Sequence, residues 1–407
     1  MFRKVVTLAL AAGLALTVPA PASAAAVCGT DPAVAGTAEQ SRLGSTSTEL
    51  IRRGGLSAWP DRFPAALCTA RTQAEAESLA VSWGTALWQS AVSRAQGSRT
   101  GDLAPGDDRP LYWTRLRLSL QIRQWTPVFT ADKTSVTRAW EDASRGLLGN
   151  TFSSGTGVKK IFVSGFDPFG LDGDQRTANP SGAAALALNG RRITLASGAP
   201  AEIRSVVLPV RYADFDAGIV ERAFGPRLAT ADAITTISQG YPGLFTIEGW
   251  AGRARSADPY PDNDRALSGG TQSHPVDAPG LGAGPEFIAT TLPAPSMIAA
   301  GTGSFPAELN PEVIEIPAGQ TAPVYRPDGP TPGSRAVAGG GGGYLSNEVA
   351  YRTNRLRLER GLPAMPGGHL HTPVLYGLPA GGALTSPQFE ANEAAITGQI
   401  TRLLTGL

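Results

Sequence analysis

Cysteine, histidine and net charge are all scarce in this chain of 407 residues. It contains two cysteines, Cys28 and Cys68, and three histidines. Because no cysteine follows residue 68, no thiol nucleophile is available in the rest of the chain. Without Arg3 and Lys4, the 35 basic residues become 33, against 34 acidic residues. A chain so close to neutral gives no electrostatic reason to expect nucleic acid or a membrane surface as a partner.

Apolar runs of the roughly 20 residues needed to span a bilayer are also lacking. Residues 1–24 begin with a basic pair, continue through a short apolar stretch and end in Ala-Ser-Ala. This is the pattern of a secretory signal peptide cleaved after Ala24, so we expect a secreted protein with no membrane contact after cleavage. Export favours a disulfide between Cys28 and Cys68 over two free thiols.

The distribution of aromatic residues predicts two domains. Six of the seven tryptophans precede residue 150, namely Trp59, Trp83, Trp88, Trp113, Trp125 and Trp140. We expect a mostly helical domain over residues 25–150, in which these rings form the core rather than a sugar-binding platform. One helix starts at the capping pattern Thr72-Gln73-Ala74-Glu75 and another covers residues 135–148. The alternation of leucine and polar residues from Leu116 to Ile122 favours a strand, although a helix stays open.

A Gly/Ser/Thr-rich linker at residues 151–157 precedes a second domain over residues 158–407. Strand and helix patterns alternate there, which predicts an α/β domain of three layers, α/β/α, with a mainly parallel sheet. The predicted strands cover residues 159–164, 202–209, 232–238 and 370–376. The predicted helices cover residues 181–188 and 212–224, begin near Tyr344, and end with one capped by Ser386-Pro387. Residues 265–310, rich in Gly, Pro, Ala and Ser, are expected to form a long surface insertion.

The turn Gly165-Phe166-Asp167-Pro168-Phe169-Gly170 follows the first strand of this domain. By itself it is a strand-to-helix turn whose rings cap the core. Together with three later segments, it resembles the type I pyroglutamyl peptidases, also called pyrrolidone-carboxylate peptidases. The resemblance implies that Phe166 and Phe169 enclose the faces of a pyroglutamyl ring, while backbone groups meet its amide edge. It also places Gln239, in Gln-Gly-Tyr-Pro-Gly, beside the substrate.

The third segment, Thr246-Ile247-Glu248-Gly249-Trp250, lies where this family has a catalytic glutamate followed by an arginine. Glu248 is the acidic residue available, and the resemblance implies that it orients the catalytic histidine. Ungapped counting places the family glutamate opposite Gly249, and a slip of one residue reverses the facing of a side chain in an extended segment. The arginine is missing, with Trp250 near its place and Arg253 as a loose substitute.

The fourth segment, Gly341 to Val349, resembles the family's nucleophile motif with Ser346 in place of the cysteine. The resemblance then places the catalytic base at His371, and His369, two residues earlier, is the second candidate. A serine at a helix start gains from exposed amides that stabilise an oxyanion. It can equally be only an N-cap residue, and His371 can be a satisfied core histidine.

The remaining patterns predict neither a metal nor a cofactor. No Gly-Lys-Ser/Thr follows the glycine run, so a phosphate loop is disfavoured. Asp258, Asp262 and Asp264 lack the glycine and distal glutamate of an EF-hand loop and are expected to form a turn.

The resemblance therefore implies a secreted hydrolase that removes pyroglutamate from the N-terminus of peptides, which would be its partners. The alternative is a catalytically inactive homologue that binds a ligand or partner. The missing cysteine, the missing arginine and the shifted glutamate favour inactivity, whereas the serine and histidine favour activity. The sequence leaves the oligomeric state open.

Overall fold

The computed structural model describes residues 27–98, 101–153 and 155–407. The signal peptide predicted for residues 1–24 and its cleavage site lie outside these ranges. The first helices are α1 (Ser45–Arg53), α2 (Ala58–Leu67), α3 (Gln73–Ala95), α4 (Arg109–Gln124) and α5 (Lys133–Ser144). Strands β1 (Gly29–Thr30) and β2 (Trp125–Thr126) pair in antiparallel fashion and attach the start of the described chain to the end of α4. Within the described residues, no helix is both long and apolar enough to cross a membrane.

Helix α4 corrects the strand favoured between Leu116 and Ile122. Asp108 and Pro110 start a helix there, and Leu116, Leu118 and Ile122 are all buried. The alternation misled because α4 lies between α1 and α2 on one side and α5 on another, so apolar residues are needed around most of its surface. The predicted cap of α3 is confirmed, since the Thr72 side chain accepts a hydrogen bond from Glu75 N.

The N-terminal helices enclose an aromatic core. Trp113, Trp125 and Trp140 are almost completely buried, and Phe63 packs against both Trp83 and Trp140. The predicted disulfide between Cys28 and Cys68 is present, with a Cα–Cα distance of 5.6 Å. It joins the strand β1 end of the chain to the end of α2.

The second part of the chain alternates strands and helices, as predicted. Its first strands are β3 (Lys159–Phe166), β4 (Arg192–Thr194), β5 (Pro200–Leu208), β6 (Ala233–Gln239), β7 (Phe245–Glu248), β8 (Trp250–Gly252) and β9 (Ala254–Arg255). The later strands are β10 (Val276–Asp277), β11 (Phe287–Ala289), β12 (Ala307–Asn310), β13 (Val313–Ile316), β14 (Val324–Arg326), β15 (Arg335–Ala338) and β16 (Gly367–Thr372). The helices are α6 (Pro180–Leu188), α7 (Tyr212–Asp216), α8 (Ile219–Phe224), α9 (Ala294–Ala300), α10 (Leu345–Glu359) and α11 (Pro387–Thr405).

Seven of these strands form the central sheet in the order β12-β7-β16-β6-β3-β5-β4. Neighbouring strands are parallel except at β7/β16 and β4/β5. Helices α6, α9 and α11 contribute to the apolar cluster on one face, and α7, α8 and α10 contribute to the cluster on the other. The predicted three-layer α/β/α fold with a mainly parallel sheet is therefore confirmed.

The surface insertion expected over residues 265–310 is found in part, since residues 265–286 are largely exposed and irregular. The later residues belong to the packed fold. Met297 of α9 is fully buried beside α11, and β12 forms an edge of the central sheet. The remaining strands β13, β14 and β15 form a separate antiparallel sheet.

Candidate functional site

Polar side chains gather on one face of the central sheet. In the strand register, His371 lies opposite both Ser238 and Thr246, and Glu248 lies opposite both His369 and Asn310. Residues that are opposite one another in a sheet project from the same face. The pairing of β16 with β6 and β7 therefore brings acid, hydroxyl and imidazole groups together.

Glu248 is bound directly to His371. His371 Nδ1 lies 2.7 Å from Glu248 Oε1, and the glutamate is only 2% exposed. Asn310 Nδ2 donates to Oε2 of the same carboxylate at 2.8 Å, and the Thr246 hydroxyl donates to Oε1. These three partners fix the carboxylate, and the carboxylate fixes the imidazole with its Nδ1–H donated. Among the described residues, none forms a hydrogen bond with Nε2 of His371, which leaves that nitrogen to accept a proton.

The one-residue ambiguity between Glu248 and Gly249 is decided by this contact. Gly249 donates its N–H to Asn310 O at 2.7 Å and has no side chain to offer. A Cβ at Gly249 would lie 3.1 Å from that same carbonyl oxygen. Glu248 is thus the residue that faces the histidine, and the glycine allows the chain to turn closely past β12.

His369 has both of its ring nitrogens occupied. Nδ1 lies 2.7 Å from Thr236 Oγ1 and Nε2 lies 2.8 Å from Ser238 Oγ. Burial, together with the neighbouring His371, holds the pKa of His369 well below its ordinary value. The two imidazoles meet edge to face with 4.6 Å between centroids. His369 therefore supports the ring of His371, and it has no free nitrogen with which to act as a base.

Ser346 is the second residue of α10 and follows a run of five glycines, Gly339 to Gly343. Its hydroxyl donates to Gly341 O at 2.8 Å. A Cβ at Gly340 would collide with the carboxylate of Glu248, so the glycine run passes directly over the acid. Asn347 fixes the start of the helix, because its amide accepts from Gly252 N at 2.7 Å and donates to Gly252 O at 2.8 Å.

The residues predicted to bind substrate surround Ser346. Phe166, Phe169 and Gln239 line one small cavity together with Ser346 and Tyr344, which we call the aromatic pocket. Gly240, next to Gln239, packs so closely on His371 that a Cβ there would lie 2.6 Å from the imidazole Cγ. The predicted residues thus form two adjoining groups, the aromatic pocket with Ser346 and the Glu248–His371 pair. Among the described contacts, no hydrogen bond joins Ser346 to His371.

The turn that carries Phe166 and Phe169 is held against α6. A Cβ at Gly165 would collide with the carbonyl of Ser181, so only glycine permits this approach. Ser181 Oγ accepts from Phe166 N at 3.0 Å, and Asn179 Nδ2 donates to Asp167 O at 2.9 Å. The predicted cap is confirmed, since the Asn179 side chain also accepts from Ser181 N.

The same turn is bound by the N-terminal helices through Asp167. This carboxylate lies 2.5 Å from Arg115 Nη2 of α4 and 2.7 Å from Arg145 Nη1 at the end of α5. All three side chains are at most 2% exposed. No local pattern predicts these pairs, because Asp167 and its partners are 52 and 22 residues apart. The N-terminal region thus holds the wall of the aromatic pocket.

A second connection runs through the Pro261–Asp264 turn. Asn263 Nδ2 donates to Pro168 O at 2.9 Å and to Glu39 Oε1 at 3.2 Å. Asp262 accepts from the backbone N–H groups of Tyr212, Asp264 and Ala266. Asp262 therefore closes a turn, and no group of three or more metal-ligating side chains is found among the described residues.

Arg253, the loose substitute for the missing arginine, lies elsewhere. Its Nε donates to Asp277 Oδ2 at 3.0 Å, and its guanidinium also contacts Gly282 O and the Tyr351 hydroxyl. These partners belong to the region of β10 and α10. The sequence prediction missed Asn310, whose side-chain amide is a neutral hydrogen-bond partner of Glu248.

Behind the turn, Glu393 of α11 is a fully buried carboxyl group beside Asp107 and Asp108. Burial, with Asp107 adding to it, raises the pKa of Glu393 to about 8. Burial raises the pKa of Asp108 well above its ordinary range as well, and Asp108 Oδ2 accepts from Asn179 N at 3.1 Å. The Arg109 guanidinium opposes both pKa shifts, and that of Arg94 opposes the pKa shift of Glu393.

Two family descriptions match this chain. "PA0049 N-terminal domain" matches residues 20–142, and "PA0049, C-terminal domain" matches residues 160–281 and 306–376. The chain is 31% identical over 462 residues to "Uncharacterized protein PA0049" of Pseudomonas aeruginosa. That alignment covers 88% of this chain and 83% of the relative.

Solved structures of pyrrolidone carboxyl peptidases and a pyroglutamyl peptidase match part of this chain. A mutant enzyme of Pyrococcus furiosus is 22% identical, with 61% of this chain and 100% of that chain covered and a TM-score of 0.39. The enzyme of Thermococcus litoralis is 21% identical, with 61% and 94% covered and a TM-score of 0.39. Pyroglutamyl peptidase I of Bacillus amyloliquefaciens is 22% identical, with 61% and 96% covered and a TM-score of 0.38.

Proposed function

This chain belongs to the PA0049 family, and for it we propose the activity of a pyroglutamyl-peptidase-like hydrolase. It removes an N-terminal pyroglutamyl group from peptides. The observation that carries the proposal is the 2.7 Å contact between Glu248 and His371, which leaves Nε2 of the imidazole without a partner among the described residues. The aromatic pocket beside Ser346 supports the substrate class, because a lactam ring has two apolar faces for Phe166 and Phe169 to enclose.

In the proposed reaction, Ser346 Oγ attacks the carbonyl carbon of the amide that follows the pyroglutamyl residue. His371 Nε2 takes the hydroxyl proton and returns it to the departing amine as the C–N bond breaks. Glu248 stabilises the imidazolium that forms between these two transfers. Water then cleaves the pyroglutamyl ester on Ser346 and restores the hydroxyl. For this reaction the Ser346 hydroxyl must break its hydrogen bond to Gly341 O. It must then donate to His371 Nε2, because a serine nucleophile requires its base within hydrogen-bonding distance.

The test is the release of a chromophore from a pyroglutamyl anilide by wild type, Ser346→Ala and Ser346→Cys. We expect the wild type to cleave the anilide and Ser346→Ala to fall to background, with His371→Ala equally inactive. A wild type no better than Ser346→Ala, together with a gain of activity in Ser346→Cys, would refute the serine mechanism while keeping the scaffold. Silence of all three would count against the pocket assignment as well.

One observation favours a second function, that of an inactive homologue that binds a ligand. The Ser346 hydroxyl is engaged with Gly341 O, and no hydrogen bond between it and His371 is among the described contacts. Free pyroglutamate has no following amide to cleave, so calorimetric titration with it is combined with the anilide assay to separate the two functions. Binding without hydrolysis, lost in Phe166→Ala, supports the binding protein, whereas turnover excludes it.

We also propose that the protein is exported. The Cys28–Cys68 disulfide supports this, because such bonds persist in oxidising compartments. N-terminal sequencing of the protein collected from the medium is expected to begin at Ala25. Recovery of the whole chain from the cytosol with two free thiols would contradict the proposal.

A further inference from the structure

A second, much larger cavity opens beside the aromatic pocket. Its volume is about 800 Å³, against about 40 Å³ for the aromatic pocket. Tyr344 lines both cavities, and the glycine run from Gly339 to Gly343 lines the larger one. Ser346 is only two residues after Tyr344, so the larger cavity adjoins the candidate nucleophile. A ligand seated in the aromatic pocket with its reacting bond at Ser346 would continue into this space.

The walls of the larger cavity carry clustered tyrosines, and we call it the tyrosine cleft. They are Tyr241, Tyr260, Tyr325 and Tyr344. Tyr241, Tyr260 and Tyr325 are 49%, 72% and 54% exposed, although large aromatic side chains are usually buried. Tyrosine offers a wide apolar face and a polar tip, so several in one cleft suit a chain that alternates amide and side-chain groups. Tyr241 also meets the imidazole of His371 edge to face.

The cleft carries charge of one sign. Among the described residues that line it, Asp258 and Glu312 are the charged ones, and neither lysine nor arginine occurs. Asp258 Oδ1 accepts from the N–H and hydroxyl of Ser268, and Glu312 accepts from the Tyr325 hydroxyl. Neither carboxylate is neutralised by a cation in these contacts. A cleft of this kind attracts positively charged groups.

We propose that the tyrosine cleft binds the peptide chain that follows the pyroglutamyl residue and prefers chains with basic side chains. The proposal rests on the proposed function for the identity of the first residue. The tyrosine cleft is larger than one lactam ring requires, and it lies where the chain after the attacked amide would continue. Its negative charge favours peptides with basic side chains. The tyrosines supply contact area along the chain, and Glu312 supplies the preference.

The charge preference is tested with two amidated tetrapeptides, pyroglutamyl-Ala-Lys-Ala and pyroglutamyl-Ala-Glu-Ala, and with the pyroglutamyl anilide. At low salt we expect kcat/KM for the lysine peptide to exceed that for the glutamate peptide about threefold to tenfold. Glu312→Gln should reduce this ratio towards one. Glu308→Gln is the matched control, because Glu308 is exposed on the neighbouring strand β12 and does not line the cleft. A ratio of one in the wild type would overturn the charge preference.

Binding is measured independently of turnover with Ser346→Ala and a fluorescein-labelled lysine peptide, followed by anisotropy. Adding Tyr325→Ala should weaken binding about fivefold, since one aromatic contact contributes about 1 kcal/mol. Adding Tyr376→Ala should change nothing, because Tyr376 is equally exposed but lies outside the cleft.

The two arms separate the possible failures. If the wild type does not cleave the anilide but the labelled peptide binds in a Tyr325-dependent way, the proposed reaction fails and the cleft assignment stands. If the anilide is cleaved but the peptide binds equally well to all variants, or not at all, the cleft assignment is overturned and the reaction stands. Absence of both cleavage and binding overturns both.

Discussion

The two walls of the candidate site are held in different ways. The turn from Gly165 to Gly170 is fixed by charge, since Asp167 is paired with buried arginines from the N-terminal helices. The run from Gly339 to Gly343 is fixed by the absence of side chains, because added Cβ atoms at Gly340 and Gly343 would collide with Glu248 and Ser256. The pocket wall therefore depends on the N-terminal region, whereas the nucleophile wall depends on the α/β region itself.

This difference predicts which substitutions should affect each wall of the site. Breaking a charge contact should loosen the turn and lower the stability of the whole molecule, because both regions lose a shared anchor. Filling a glycine should displace Glu248 and leave the turn unaffected. The two kinds of variant should consequently separate stability from catalysis.

The largest effect is expected from Asp167→Asn, which removes a charge that faces two buried guanidinium groups. We expect the free energy of unfolding to fall by about 3 kcal/mol, the low end of the cost of breaking a buried pair, because Glu141 still pairs with Arg145 at 2.7 Å. Urea unfolding measures this loss. Glu49→Gln is the control, because its pair with Arg52 is exposed on both sides and its loss should change stability little. Equal losses in the two variants would contradict the idea that charge anchors the turn.

Gly340→Ala tests the other wall. The added methyl group would displace the Glu248 carboxylate, and we expect kcat/KM for the anilide to fall about a hundredfold, since misplaced catalytic groups cost that much. Gly342→Ala is the control, because a Cβ there meets no atom within 4 Å and only the left-handed φ of 78° is strained. Similar activities in the two variants would remove the steric argument.

The pH dependence of the free energy of unfolding tests the buried carboxyl group of Glu393. The pKa of Glu393 is about 8 when folded, against an ordinary 4.5, so the folded state keeps a proton that the unfolded chain has lost. The contribution of Glu393 to stability is therefore greatest below about pH 4.5 and falls as pH rises towards 8, by about 2 kcal/mol between pH 5 and pH 7. Urea unfolding of wild type and Glu393→Gln across this range measures it. A slope that persists in Glu393→Gln would point to Asp108 instead.

The smallest effect is expected from Asn310→Ala, which removes one of the three partners of Glu248. His371 and Thr246 still hold the carboxylate, so the loss is about 1 kcal/mol, or roughly fivefold in kcat. Because Asn310 acts through Glu248, kcat should fall while KM stays constant. Asn392→Ala, which removes an exposed bond to Tyr376 O, is the control and should leave both constants unchanged. A rise in KM alone would contradict a positioning role.

Local signals were enough to predict much of the fold. The caps formed by Thr72 and Asn179 are contacts within three residues, so the sequence shows them directly. Helix α4, helix α9 and strand β12 were misread because each packs against or pairs with elements that are distant in sequence. The pattern of the first strand of the second domain was sufficient, since β3 is buried and apolar over most of its length.

The candidate site was predictable in residue type and less so in arrangement. Glu248 and Gly249 could be separated only by the β7/β16 register, which no local pattern contains. Asn310 was hidden within a segment taken for an insertion. Arg115 and Arg145 of the N-terminal region pair with Asp167 of the α/β region. The residues near the turn do not predict these two ion pairs. The catalytic roles of Ser346, His371 and Glu248 stay predictions for the assays above.

The paired histidines limit how many protons the site can exchange. Of the four ring nitrogens of His369 and His371, three are engaged with Thr236, Ser238 and Glu248. His369 keeps the ring of His371 in place. Nε2 of His371 is therefore the one nitrogen of the two rings through which protons of the proposed reaction pass.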